Sequence, residues 1–189
     1  MSVTSSTTGS SLKFLIGWIL SFVLRLIPFR PPNLEPILAI QTPFTKRYGF
    51  IIGFLFAFVN IALFDFVTGK MGVWTIITAA CYGFLALFSA WYFKHRSGTS
   101  LQYAVHAIYA TLIYDAITWL TIGPLFFGQS FQSALIGQIP FTVYHLIGNV
   151  TLSAVLSPIL YRWVITNPRF EIAYLKQLLF HPTKVIWKN

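Results

Sequence analysis

Charge is what this sequence lacks most. Only 9% of its 189 residues are Asp, Glu, Lys or Arg, against roughly 25% in an ordinary soluble domain. Acids are the scarcest, four against thirteen Lys and Arg. With 56% hydrophobic residues, the chain holds more apolar surface than a soluble core of this size buries, which excludes most soluble folds. Cysteine is nearly absent as well. Cys81 stands alone within an apolar run, so neither an intramolecular disulfide nor a Cys-based zinc site can form. No glycine-rich phosphate loop, HExxH or GxSxG motif occurs, so the chain has no means of hydrolysing ATP by itself. The bases are spread thinly between apolar runs rather than gathered on one wet face, which argues against nucleic acid as a partner.

What is present in abundance is long apolar sequence. Six transmembrane helices at about 20 residues each need ~120 residues and leave about 70 for connections and ends. Leu12 to Phe29 is a first span, interrupted by Arg25 and stopped by Pro28, Pro31 and Pro32. Asn33 to Phe44 is a weak second. It contains Glu35, Pro36, Gln41 and Pro43, rises only ~18 Å as a helix, and spans only if buried among other helices or helped by a thin bilayer. Tyr48 to Val67, Met71 to Phe93, Leu101 to Ile122 and Gln138 to Tyr161 complete the set, with Asp65 and Asp115 their only charges. Gly123 to Gly137 reads as an apolar loop that covers a site or re-enters the membrane.

The expected fold is therefore an all-α integral membrane protein, a six-helix transmembrane bundle with both chain ends cytoplasmic, in the plasma membrane. Residues 1–11 form a polar tail and 12–165 the bundle. Residues 166–189 form a basic amphipathic tail suited to anionic headgroups. In this topology ten of the thirteen bases fall on the inner side, among them Lys13, Lys46, Arg47, Lys94, Arg96 and Arg162, as cytoplasmic loops require. Arg25, Arg30 and Lys70 fall outside; a five-span alternative, in which the short second segment does not cross, keeps the later loops as they are and moves the amino terminus outside.

Ionisable groups within a membrane are costly, so the few present point to function. Glu35, Asp65 and Asp115 all lie toward the outer side. Asp115 shares a helical face with Ala104, Ala107, Thr111 and Thr118. That face makes it a ligand-facing acid, a structural partner of Arg25 or Lys70, or a helix–helix hydrogen bond. Asp65 is a ligand contact or a wetted helix end beside Gly69. The last span carries Gln138, Thr142, His145, Asn149, Ser153 and Ser157 at spacings of three and four, a polar stripe able to line a cavity or to join helices. His106 lies nine residues before Asp115, hence on the opposite face and ~13 Å away, and reads as structural. Trp74 and Trp119 are interface anchors or flat walls for a planar ligand. Thr75, Thr78 and Tyr82 form a stripe that could add hydrogen bonds. Small residues at Gly49, Gly53 and Ala57, and at Ala79, Gly83, Ala86 and Ala90, permit close helix contact.

Four segments resemble the substrate-binding membrane subunit, or S component, of energy-coupling factor vitamin transporters. They are FRPPNLEPILAI, YGFIIGFLFAFVNIALFDFVTG, GVWTIITAACYGFLAL and IPFTVYHLIGNVTLSAVLSPILY, and the resemblance covers roughly Phe29 to Arg162. It implies a six-helix bundle that binds a vitamin or related small molecule near its outer face. It also implies docking onto a transmembrane coupling subunit driven by two cytoplasmic ATPases, with tilting of the binding subunit to release cargo. Positions that match by place are Asn33, Glu35, Asp65 and the outer halves of the last three helices. Many members carry AxxxA on the first helix, where this chain has Gly17 and Ser21. The expected function is a non-enzymatic binding subunit with a pocket built from Trp74, Asp115, Trp119, His145 and Asn149, requiring no cofactor or metal. The alternatives are a scaffold resembling a small polytopic cell-shape protein of wall-synthesis machinery, and an intramembrane enzyme using His145 with Asp115.

Overall fold

The computed structural model describes residues 11–29 and 33–180. Among these the chain forms seven α-helices and no strand: α1 (Ser11–Leu26), α2 (Ile37–Tyr48), α3 (Phe50–Val67), α4 (Val73–Phe93), α5 (Ser100–Thr121), α6 (Phe131–Leu160) and α7 (Ile172–Phe180). Helices α3 and α4, α5 with the π-helical turn Ile122–Phe126, and α6 with the π-helical turn Tyr161–Ile165 are long and apolar enough to cross a membrane. The chain is thus a multi-pass membrane protein with four clear spans. Their outward faces are large and apolar, as at Ile51, Phe84, Leu87, Ile147 and Val155, which suits lipid as solvent.

Helix α2 is the centre of the bundle. Every residue from Pro36 to Thr45 is buried, and α3, α4 and α6 surround it. A helix enclosed on all sides can carry polar residues provided each finds a partner. Gln41 Nε2 donates to the Tyr82 carbonyl at 2.7 Å, and Thr42 and Thr45 donate to carbonyls one turn back. Pro43 has no N–H, so the carbonyl of Ala39, four residues earlier, loses its helical donor. Ser157 Oγ of α6 fills that position at 2.7 Å. A proline in one helix and a serine in another are therefore one structural feature. The turn into α3 is made by Gly49 at φ 87°, a conformation that L side chains rarely adopt.

Helix α1 packs across α2 and α3 through its small face. A Cβ added at Gly17 would lie 2.6 Å from the Phe44 ring, and Ser21 Oγ donates to Asn60 Oδ1 at 3.0 Å. The two small residues at the AxxxA spacing are thus buried against the chain's own helices. At the same end as the start of α1, buried Lys13 donates to the Ile165 carbonyl at 2.9 Å and to Glu171 at 3.0 Å, pinning the α7 segment. Glu171 is about a third exposed, so solvent discounts the pair to ~1.5 kcal/mol. Lys13→Ala is expected to raise amide hydrogen exchange in α7 by about tenfold without changing exchange in α4, measured by mass spectrometry.

Several expected boundaries shift, and the second helix runs Ile37–Tyr48 rather than Asn33 to Phe44. The first helix ends at Leu26 rather than Phe29, because the chain turns before Pro28. The segment read as a loop over Gly123 to Gly137 is largely helical. The π-helical turn follows α5 directly, and α6 begins at Phe131, capped by Ser130 Oγ accepting from the Ser133 N–H. Pro140 lies inside α6 instead of opening it, since one missing N–H costs a long helix a single bond, here on an exposed face. Residues Met1 to Ser10, Arg30, Pro31, Pro32 and the tail beyond Phe180, with Lys184, Trp187 and Lys188, lie outside the described residues.

Candidate ligand-binding site

A cavity of about 320 Å³ opens at the end of the bundle opposite Lys13. Its position follows from the order of the helices. The end of α1 supplies Arg25, the segment entering α2 supplies Asn33 and Glu35, and α3 supplies Ile61 and Asp65. Helix α4 presents Trp74, Thr78 and Tyr82, one residue per turn along a single face. Tyr114 of α5 and Phe141 and His145 of α6 close the far wall, and Lys70 stands at the rim. A second lobe of about 460 Å³ shares Thr78, Tyr114 and Phe141 with the first and extends past Thr118, Trp119, Phe127, Gln129 and Gln138.

One wall is ionic. Arg25 Nε lies 3.1 Å from Glu35 and Nη2 lies 3.9 Å from Asp65, while the guanidinium carbon sits 3.8 Å above the centre of the Phe64 ring. Arg25 Nε is close to Glu35 but is not aligned for a hydrogen bond, so the contact is an ion pair. Asp65 accepts from Thr75 Oγ1 at 2.6 Å. It is buried, 8% exposed, and tied to two other elements, which corrects its reading as a wetted helix end.

The opposite wall is a hydrogen-bonded chain. Asp115 Oδ1 meets His145 Nδ1 at 2.7 Å, and His145 Nε2 meets the Tyr82 hydroxyl at 3.2 Å. A carboxylate only accepts, so Nδ1 carries hydrogen, and in the neutral imidazole Nε2 accepts from Tyr82. Aromatic faces surround this chain: Tyr82 packs on Tyr114 at 4.5 Å, and Tyr114 and Phe141 meet His145 edge-on. Flat apolar walls with a few convergent polar groups are the usual make-up of a small-molecule site.

Of the residues read from sequence, Glu35, Asp65, Trp74 and His145 line the first lobe and Trp119 the second. Asp115 and Asn149 line neither. Asp115 stands behind His145, and Asn149 lies one turn deeper, donating to Thr111 Oγ1 at 2.9 Å. The partner of Asp115 is a histidine, since Arg25 is taken by Glu35 and Asp65. Trp74 donates to the Lys70 carbonyl and stacks on Phe127. Trp119 packs on Phe131. His106 is structural, 2.9 Å from Ser89 Oγ and stacked on Phe88. Tyr114 and Phe141 are cavity residues that the polar stripes do not single out. Their signal lies in their spacing, each aromatic four residues from a polar group facing the same space, Thr118 and His145 respectively.

No family model matches the chain, and neither curated proteins nor solved structures yield a match.

Proposed function

We propose that this chain is the non-catalytic, membrane-embedded substrate-binding subunit of an importer, similar in role to the S components of energy-coupling factor vitamin transporters. It takes up a vitamin-like small molecule in the two-lobed cavity. In this reading α1 to α6 all cross the plasma membrane, the short α2 shielded by its neighbours, and both chain ends are cytoplasmic. Energy comes from a transmembrane coupling subunit and two cytoplasmic ATPases.

The observation that carries the reading is the cavity itself: polar and aromatic side chains from five helices turn toward one space at one end of a membrane bundle. Orientation is supported by the bases. Lys13, Lys46, Arg47, Lys94, Arg96 and Arg162 lie at the end remote from the cavity, where Lys46 donates to the Arg96 carbonyl at 2.8 Å. The positive-inside rule then turns the cavity mouth to the outside.

Purification in detergent, followed by mass spectrometry of small molecules released on denaturation, tests this directly. The wild-type protein is expected to carry one compound in near-stoichiometric amount. Trp74→Ala removes a flat wall of the first lobe and lowers retention about tenfold. Co-purification of a membrane protein with two ATPases supports the importer. Recovery of wall-synthesis proteins with no retained compound refutes it in favour of a scaffold.

A further inference from the structure

Charge is unevenly divided between the two lobes of the cavity. Among the described residues, none that lines the second lobe is charged. The first lobe is lined by Glu35 and Asp65 and by Arg25 and Lys70, but the two bases differ in depth. Lys70 is exposed at the rim, where water and salt screen it. Arg25 is sheltered together with both acids, 3.1 Å from Glu35 and 3.9 Å from Asp65. Among the described residues the sheltered part of this wall therefore carries one negative charge in excess. The Asp115–His145 pair behind the far wall does not offset it, because with the carboxylate ionised that pair is neutral or negative whichever form the ring takes.

Hydrogen bonding has the same bias. Side-chain donors of the neutral residues around the first lobe are largely committed within the protein. Trp74 Nε1 donates to the Lys70 carbonyl at 3.2 Å, Thr78 Oγ1 donates to the Trp74 carbonyl at 2.7 Å, and the Tyr82 hydroxyl meets His145 Nε2. Arg25 adds little, because its Nε and Nη1 are fully buried and so out of contact with the space. Acceptor oxygens remain, since an ionised carboxylate has about four lone-pair sites and both Glu35 and Asp65 border the cavity. Trp74, Tyr82, Tyr114 and Phe141 border it as well, and aromatic faces attract a cation that lies within about 6 Å of the ring centre. Excess negative charge, acceptor oxygens and aromatic walls all complement one kind of group, a cation that carries N–H donors.

Given the binding role proposed for this cavity, we infer that its substrate is a protonated amine joined to a flat, uncharged ring system. The ammonium lies in the first lobe beside Glu35 and Asp65, and the ring lies in the second against Trp119 and Phe127. The lobes share Thr78, Tyr114 and Phe141, so one molecule spans both. An anionic end would instead meet two carboxylates.

Three indoles that differ in the charge of one substituent test this: tryptamine, indoleacetamide and indoleacetate. Each is titrated calorimetrically into the full chain in detergent at neutral pH, where an alkylamine is protonated. Tryptamine is expected to bind about tenfold or more tightly than either of the others. Glu35→Gln lowers tryptamine affinity about tenfold and leaves that of the acetamide unchanged. Lys70→Gln, at an exposed position, acts the other way and tightens tryptamine binding by about two- to threefold. Equal affinity for the three indoles, a preference for the acetate, no binding of any of them, or undiminished tryptamine binding in Glu35→Gln overturns the inference. The compound retained on purification separates this outcome from the importer reading. A neutral or anionic retained compound refutes the amine and leaves the importer standing, whereas tryptamine selectivity in a protein that retains nothing upholds the cationic site and counts against the importer.

Discussion

Arg25→Met is expected to destabilise the bundle by roughly 2–4 kcal/mol, read as a lowered unfolding midpoint in a denaturing-detergent titration. The side chain of Arg25 is 10% exposed, that of Asp65 11% and that of Glu35 22%, so water screens the three charges only in part. Removing the cation leaves two acids facing each other across the cavity wall. Asp65 retains Thr75 Oγ1, but a hydroxyl does not replace a charge. Methionine keeps the length and the contact with Phe64, so packing loss contributes little and the effect isolates electrostatics. The double variant Arg25→Met, Glu35→Gln should be more stable than Arg25→Met alone, because one of the two like charges that Arg25 had offset is gone. Equal stability of the two would mean that the Arg25–Glu35 ion pair contributes nothing.

The Arg25 cluster also marks where reading the sequence stops. Its members are ten and forty residues apart, so no periodicity joins them. Each is identifiable as an expensive charge, but which carboxylate Arg25 meets depends on how α1 and α3 pack around α2. Helical faces are legible. His145, Asn149, Ser153 and Ser157 do share one inward face of α6, and all four are buried. Depth along that face is not legible, since the period gives a direction and not what lies opposite. Opposite His145 is the cavity, opposite Asn149 is Thr111, and opposite Ser157 is the carbonyl freed by Pro43. The polar content of α2 that makes it a weak span has the same origin: its side chains answer to other helices instead of lipid. Pro140 misleads because a proline ends a short helix far more often than it interrupts a thirty-residue one.

His145→Leu should produce the largest single loss, about 3–5 kcal/mol, and a second substitution should restore much of it. In the wild-type protein the side chain of Asp115 is held by the His145 ring at 2.7 Å, and the residue is 2% exposed. Leucine fills much of the volume of the ring but donates no hydrogen bond. It therefore leaves a desolvated anion against an apolar side chain, and it also removes the acceptor for the Tyr82 hydroxyl. Asp115→Asn in that background replaces the anion with a neutral amide, whose burial costs far less than that of a charge. The double variant is expected to recover at least half of the loss. A cavity-filling account predicts no such recovery, because asparagine and aspartate have nearly the same volume and the packing around the introduced leucine would be unchanged. Comparing the two variants by denaturing-detergent titration thus separates charge from packing. It also bears on the cavity. If the loss comes from the stranded charge, the rung between α5 and α6 holds the imidazole where Tyr82, Tyr114 and Phe141 meet it, and the shape of the first lobe depends on an acid that does not itself line it.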